Sequence, residues 1–246
     1  MMKKGFFTLL ACVLLVSCNK MPEMQQTYTL SVTAGKADTK ALNIDDSGAL
    51  KATWAEGETV QVYRGGMVSL GTLTAQSSGQ STTLSGTVSG TFAVGYTLRL
   101  EFLNADNYTS QNGILNEGAA SLDKTCDYAT AEVKILSIDG NTITTENATF
   151  VNRQAIMKFT LKQGGDPFFT SQMSITVTGT SQSITIVVSP PSSTDTLFVA
   201  IPCFYDSTFS FSFDALDVLG TTHYYKNIDS IKLENGKYYN VTLNLL

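Results

Sequence analysis

The hydrophobic pattern of this chain has a period of two along most of its length. Between residues 27 and 33, Tyr28, Leu30 and Val32 alternate with Thr29, Ser31 and Thr33, and a single apolar face at that period predicts a half-buried strand. Further strands are predicted over 60–64, 67–75, 81–88, 97–103 and 131–138, bounded by Gly-Gly, Ser-Ser-Gly, Ser-Gly and Asp-Gly-Asn turns. A second set begins near Ala148. There, Ala155, Met157, Phe159 and Leu161 share one face of a strand and Ile156, Lys158 and Thr160 the other. Strands over 173–178, 183–188, 196–201, 208–214, 221–226 and 237–245 follow. Phe209, Phe211 and Phe213, alternating with Thr208, Ser210 and Ser212, mark the clearest core-facing strand. No stretch keeps helical periodicity for three turns. Segment 104–130 is long for a loop and has room for one short helical turn near 117–124. The predicted fold class is all-β, and short strands at regular spacing point to sandwiches: an N-terminal β-sandwich over 27–147 and a C-terminal one over 148–246.

The one long apolar run lies at the start. Lys3 and Lys4 precede apolar residues 5–16, which end in Leu15-Val16-Ser17-Cys18. A charged leader, a short apolar stretch and a cysteine at the cut predict a lipoprotein signal peptide over 1–17. The run is well short of the roughly 20 residues that span a bilayer. Cys18 is then the lipidation site, residues 18–26 a polar tether, and the expected location the outer membrane, lipid-anchored; residues 19–23 carry no dense acidic run and do not mark which side the body faces. Each buried acyl CH₂ contributes about 0.8 kcal/mol, so two or three chains hold the protein firmly while spanning nothing. Segment 34–52 is small and polar and carries Lys36, Lys40 and Lys51, the composition of an exposed, protease-accessible loop.

Charge narrows the partners. Loss of residues 1–17 removes Lys3 and Lys4 and leaves about seven net negative charges, so nucleic acid and anionic lipid headgroups are not expected partners; contact with the membrane is through the lipid anchor only. Of four cysteines, only Cys126 and Cys203 remain in the body. Far apart in sequence, they read as separate buried thiols rather than a disulfide.

Little points to catalysis. The single histidine, His223, cannot make a two-histidine metal site, and no CxxC spacing compensates. There is no G-x-S-x-G turn and no phosphate-binding glycine pattern. Beside Tyr224 and Tyr225, His223 reads as a sheet-surface side chain. Asp45-Asp46-Ser47-Gly48 lacks the ligand spacing of a calcium loop. Trp54, the only tryptophan, has an aromatic face that suits sugar stacking, but its position before strand 60–64 favours a core or domain-edge anchor. No cofactor, metal or catalytic residue is expected, and the chain is not read as an enzyme.

Three segments, in order, give the chain a resemblance to a known family. They are Thr39-Lys40-Ala41 followed by Thr53-Trp54-Ala55-Glu56-Gly57-Glu58-Thr59-Val60-Gln61-Val62-Tyr63; then Gln111-Asn112-Gly113-Ile114-Leu115 leading to Cys126-Asp127-Tyr128-Ala129-Thr130-Ala131; then Asn152-Arg153-Gln154-Ala155-Ile156-Met157-Lys158-Phe159 with Asn235-Gly236-Lys237-Tyr238-Tyr239-Asn240-Val241-Thr242-Leu243. Together with the lipobox, these resemble the fimbrillin-like family, the type V pilins of Gram-negative anaerobes; Glu58 stands where that family more often has Asp. The resemblance implies two tandem β-sandwich domains of Greek-key, transthyretin-like type in a subunit that arrives as a lipoprotein and is trimmed after a basic residue. Lys40 is the leading cleavage site and Lys36 the second. Trimming would free the first strand, with Tyr28, Leu30 and Val32, for exchange with other fimbrial subunits. The family's stalk pilins carry an extra C-terminal donor segment, which suggests a tip or terminating position for this chain. The competing expectation is an uncleaved outer-membrane lipoprotein that binds glycan or host protein through its sandwich loops.

Overall fold

The structure, a computed structural model, describes residues 26–36, 43–44, 50–51, 53–66, 68–104, 108–115, 121–203 and 208–246. The signal segment, Cys18, the tether, Lys40 and the Asp45–Asp46 stretch lie outside the described residues.

Strands dominate, as the period-two pattern predicts. The elements are β1 (Thr27–Lys36), β2 (Asn43–Ile44), β3 (Leu50–Lys51), β4 (Thr59–Tyr63), β5 (Ser69–Ala75), β6 (Ser81–Ser89), β7 (Thr97–Asn104), β8 (Ser110–Gln111), α1 (Leu122–Thr125), β9 (Asp127–Asp139), β10 (Thr142–Thr145), β11 (Ala148–Asn152), β12 (Gln154–Gln163), β13 (Asp166–Pro167), β14 (Gln172–Thr178), β15 (Ser183–Val188), β16 (Thr196–Pro202), β17 (Thr208–Leu216), β18 (His223–Lys232) and β19 (Tyr238–Leu245). The helical turn foreseen near 117–124 is α1.

The first body is one sheet that closes on itself. Its neighbours run β1, β6, β5, β4, β7, β9 and then β10 and β11, which return to β1. β10 and β11 follow one another along the same edge of β1, so they behave as one broken strand, and the closed sheet is barrel-like where two facing layers were expected. Closure removes the unpaired edges that an open sheet would present. Tyr28, Leu30, Val32, Val60, Val62, Leu73, Leu84, Leu98, Leu100, Val133 and Phe150 fill the interior. Close backbone approach marks the β5–β6 ladder of the barrel: a Cβ on Gly86 would lie 2.2 Å from the Thr72 carbonyl oxygen, and one on Gly71 the same distance from that of Thr87. β11, read from sequence as the start of the second strand set, belongs to the barrel instead. It pairs with β1 and β9, and Phe150 points into the barrel core.

The second body has two facing sheets. β12 lies between antiparallel β16 and parallel β19, while β14 lies between β15 and β17, with β18 beyond. One core cluster draws on both layers. It includes Ala155, Met157, Phe159 and Leu161 from β12, and Phe209, Phe211 and Phe213 from β17, the two faces read from sequence. Residues 108–115 and 121–126, part of the expected first sandwich, reach across to this second body. β8 extends the β15 edge in parallel, Phe198 N–H donates to the Gly113 carbonyl at 2.9 Å, and Leu115, Leu122 and Cys126 cover Ile156 and Ala200. The Gln111 side chain pairs with the backbone of Ala200 as a peptide would, Nε2 donating to the carbonyl and Oε1 accepting from the N–H, both at 2.9 Å. Gly113 is required there. Its φ is +72°, and a Cβ would meet Leu197 at 2.7 Å and Val188 at 2.9 Å.

Candidate strand-exchange seam

β1 is the strand at which the barrel closes. Over nine residue pairs it runs antiparallel to β6, from Thr27 opposite Ser89 to Gly35 opposite Ser81. Its other edge runs parallel to β10 through Thr29, Leu30 and Ser31, and to β11 through Ala34, Gly35 and Lys36. Register decides what each side chain meets, because successive residues face opposite sides. Tyr28, Leu30, Val32 and Ala34 point inward and are buried, whereas Thr29, Ser31 and Thr33 are exposed. The Tyr28 ring stands edge-on to Phe92, centroids 5.2 Å apart. Leu30 lies opposite Gly86 on β6 and Ile143 on β10, and Val32 lies opposite Leu84. At about 1.5–3 kcal/mol per fully buried large side chain, Tyr28, Leu30 and Val32 together contribute about 4.5–9 kcal/mol of apolar burial.

Withdrawing β1 would therefore open a slot of defined chemistry. β6 on one side and β10–β11 on the other would expose unpaired backbone groups, and the floor would be the apolar interior of the barrel. A row of free N–H and C=O groups beside apolar side chains is a template for strand addition.

β1 runs three residues past the expected end at Thr33. Ala34 is fully buried, and Lys36 pairs through its backbone with Phe150. A cut after Lys36 would first require peeling this end of the strand from its ladder. Residues 34–36 of the expected protease-accessible loop thus belong to β1.

The other singled-out residues have structural surroundings. Trp54 is buried in the barrel, edge-on to Phe150 at 5.2 Å and to Phe102 at 5.8 Å. His223 lies on the outer side of β18, with Nδ1 2.7 Å from Asp214 Oδ1 and its ring stacked on Tyr225. Neither Cys126 nor Cys203 is in a disulfide, and both are buried; desolvation pushes each thiol up to about 11. Burial also raises the Tyr108 phenol, whose hydroxyl donates to the Cys126 carbonyl at 3.4 Å. Among the described residues, no group of three or more His, Cys, Asp or Glu converges to hold a metal, and no helix is long and apolar enough to cross a membrane.

Sequence reasoning missed the partners of β1. β10, a four-residue strand of Thr and Ile, lay below the length at which alternation can be read.

No protein-family model matches the chain, and no curated protein matches it in sequence. Solved structures similar to it include a candidate cell adhesion protein from Bacteroides ovatus (12% identity, 89% of this chain and 94% of that one, TM-score 0.46). Others are a fimbrial assembly protein from Parabacteroides distasonis (11%, 89% and 91%, TM-score 0.42) and a shaft pilin from Lactobacillus rhamnosus (9%, 88% and 97%, TM-score 0.33).

Proposed function

We propose that this chain is a surface-exposed fimbrial subunit, lipidated at Cys18 during export and assembled by protease-triggered strand exchange. The observation that carries the reading is the position of β1, which bridges β6 to β10 and β11 and bears Tyr28, Leu30 and Val32 on its buried face. The lipobox and the three family-like segments point the same way. Cleavage after Lys40 frees β1 from the rest of the chain, and a strand from a neighbouring subunit refills the slot. The role is structural and adhesive, with no catalysis assigned.

The amino-terminal sequence and intact mass of the protein recovered from cells test this. Assembled material that begins at Ala41 supports strand removal. Assembled material that still begins at a lipidated Cys18 overturns it and favours an uncleaved lipoprotein.

A further inference from the structure

A cleft on the outer side of the barrel holds a set of residues that barrel closure does not use. The register of three adjacent strands aligns Tyr63 on β4, Arg99 on β7 and Glu132 on β9 in one row. At the end of that row, Arg64 follows β4 and Tyr96 precedes β7, and Gly65 adds a wall with no side chain. The cleft they line has a volume of about 960 Å³.

Both guanidiniums are laid on aromatic rings, Arg64 5.1 Å from the centroid of Tyr96 and Arg99 5.6 Å from that of Tyr63. Each is also tethered on one side. Arg64 Nη1 donates to the Thr91 carbonyl, and Arg99 is paired with Glu101, which the Tyr128 hydroxyl also reaches. These contacts fix the direction of the two cations. Among the described residues, Arg64 has no carboxylate partner. A guanidinium has five N–H donors in a fixed fork, so most of those on Arg64 remain for a ligand.

The combination selects a ligand class. The Arg64 guanidinium, with no carboxylate partner among the described residues, suits a planar anion such as a carboxylate, held in bidentate fashion. The Tyr63 and Tyr96 rings offer apolar surface and phenol hydroxyls to a sugar ring, and Glu132 can accept from sugar hydroxyls. That carboxylate and the acidic body also repel dense polyanions. We propose that this cleft binds an acidic saccharide, a sugar residue carrying one carboxylate. β7 pairs with β4 on one side and β9 on the other, and none of the three pairs with β1.

Calorimetric titration of the full-length chain in detergent, with a sialylated trisaccharide, a glucuronate-terminated trisaccharide, a sulfated lactose and plain lactose, tests the assignment. The carboxylated sugars are expected to bind at least tenfold more tightly than lactose and than the sulfated sugar. Arg64→Gln removes charge-assisted hydrogen bonds at an exposed position, so it is expected to weaken binding roughly tenfold to hundredfold. Tyr96→Ala should weaken it in the same direction, and neither should move the melting temperature. Equal affinity for lactose, preference for the sulfated sugar, no binding of either carboxylated sugar at millimolar concentration, or unchanged binding by both variants would each overturn the proposal.

Discussion

Leu30→Ala separates the two faces of β1 in one measurement. Leu30 is fully buried in the barrel, and its antiparallel neighbour Gly86 has no side chain to move into the space left behind. Truncations of this kind cost about 2–5 kcal/mol, depending on how far the site collapses; with a glycine alongside, the upper part of that range, about 3–5 kcal/mol, is expected. In the intact chain this appears as lost stability in urea denaturation. A chain cut after Lys40 and stripped of β1 in denaturant gives the second reading. On refolding, its slot should take up a fluorescent peptide of residues 27–36, and anisotropy should register the same energy as a loss of roughly 150- to 5,000-fold in affinity for the Leu30→Ala peptide. Ser31→Ala, on the exposed face one residue away, should change either reading by no more than about 0.5 kcal/mol. Equal effects from the two substitutions, or a stripped body that ignores the wild-type peptide, would refute the reasoning.

Gly86→Ala should destabilise the barrel by about 1–3 kcal/mol, since its Cβ would press on the Thr72 carbonyl oxygen; a denaturation midpoint equal to that of the wild type would count against the close β5–β6 approach. Gln111→Ala leaves the buried Ala200 N–H and C=O without the amide that pairs with them, and a loss of about 1–3 kcal/mol is expected, read by thermal or urea melts. The thiols set an alkaline limit. With Cys126 and Cys203 raised from 9.0 to about 11 in the fold, the unfolded chain ionises first, and the native state holds more protons above pH 9. Their contribution is therefore intact below pH 9 and declines as pH rises from 9 through 11. Melting temperature against pH should fall in that window more steeply for wild type than for a Cys126→Ala, Cys203→Ala double variant, and thiol-labelling reagents at pH 8 should react slowly until denaturant is added.

The sequence carried the inward and outward assignment of side chains much better than the identity of their neighbours. Tyr28, Leu30 and Val32, or Phe209, Phe211 and Phe213, declare their face through alternation, which is a local property. Whether β1 lies beside β6, some 50 positions away, or beside β10, over 110 positions away, is decided by non-local pairing that alternation does not encode. Alternation therefore gives neither the closure of the first sheet nor the pairing of β11 with β1 and β9. Residues 108–115 were opaque for another reason: their strand, β8, is two residues long, and the Gln111 side chain bonds Ala200, so too few alternating positions exist to mark a period. The arginine and tyrosine cleft left no motif, because its parts come from three strands that only register brings together.

The two edges that β1 touches are of unlike kind, one antiparallel and one parallel. A replacement strand entering in the same direction regains both ladders in their original form, whereas one entering backwards must exchange them and reset the pleat on each side. The gap thus reads chain polarity as well as side-chain size. Any polymer built by filling it repeats a single orientation from subunit to subunit, with distinguishable ends.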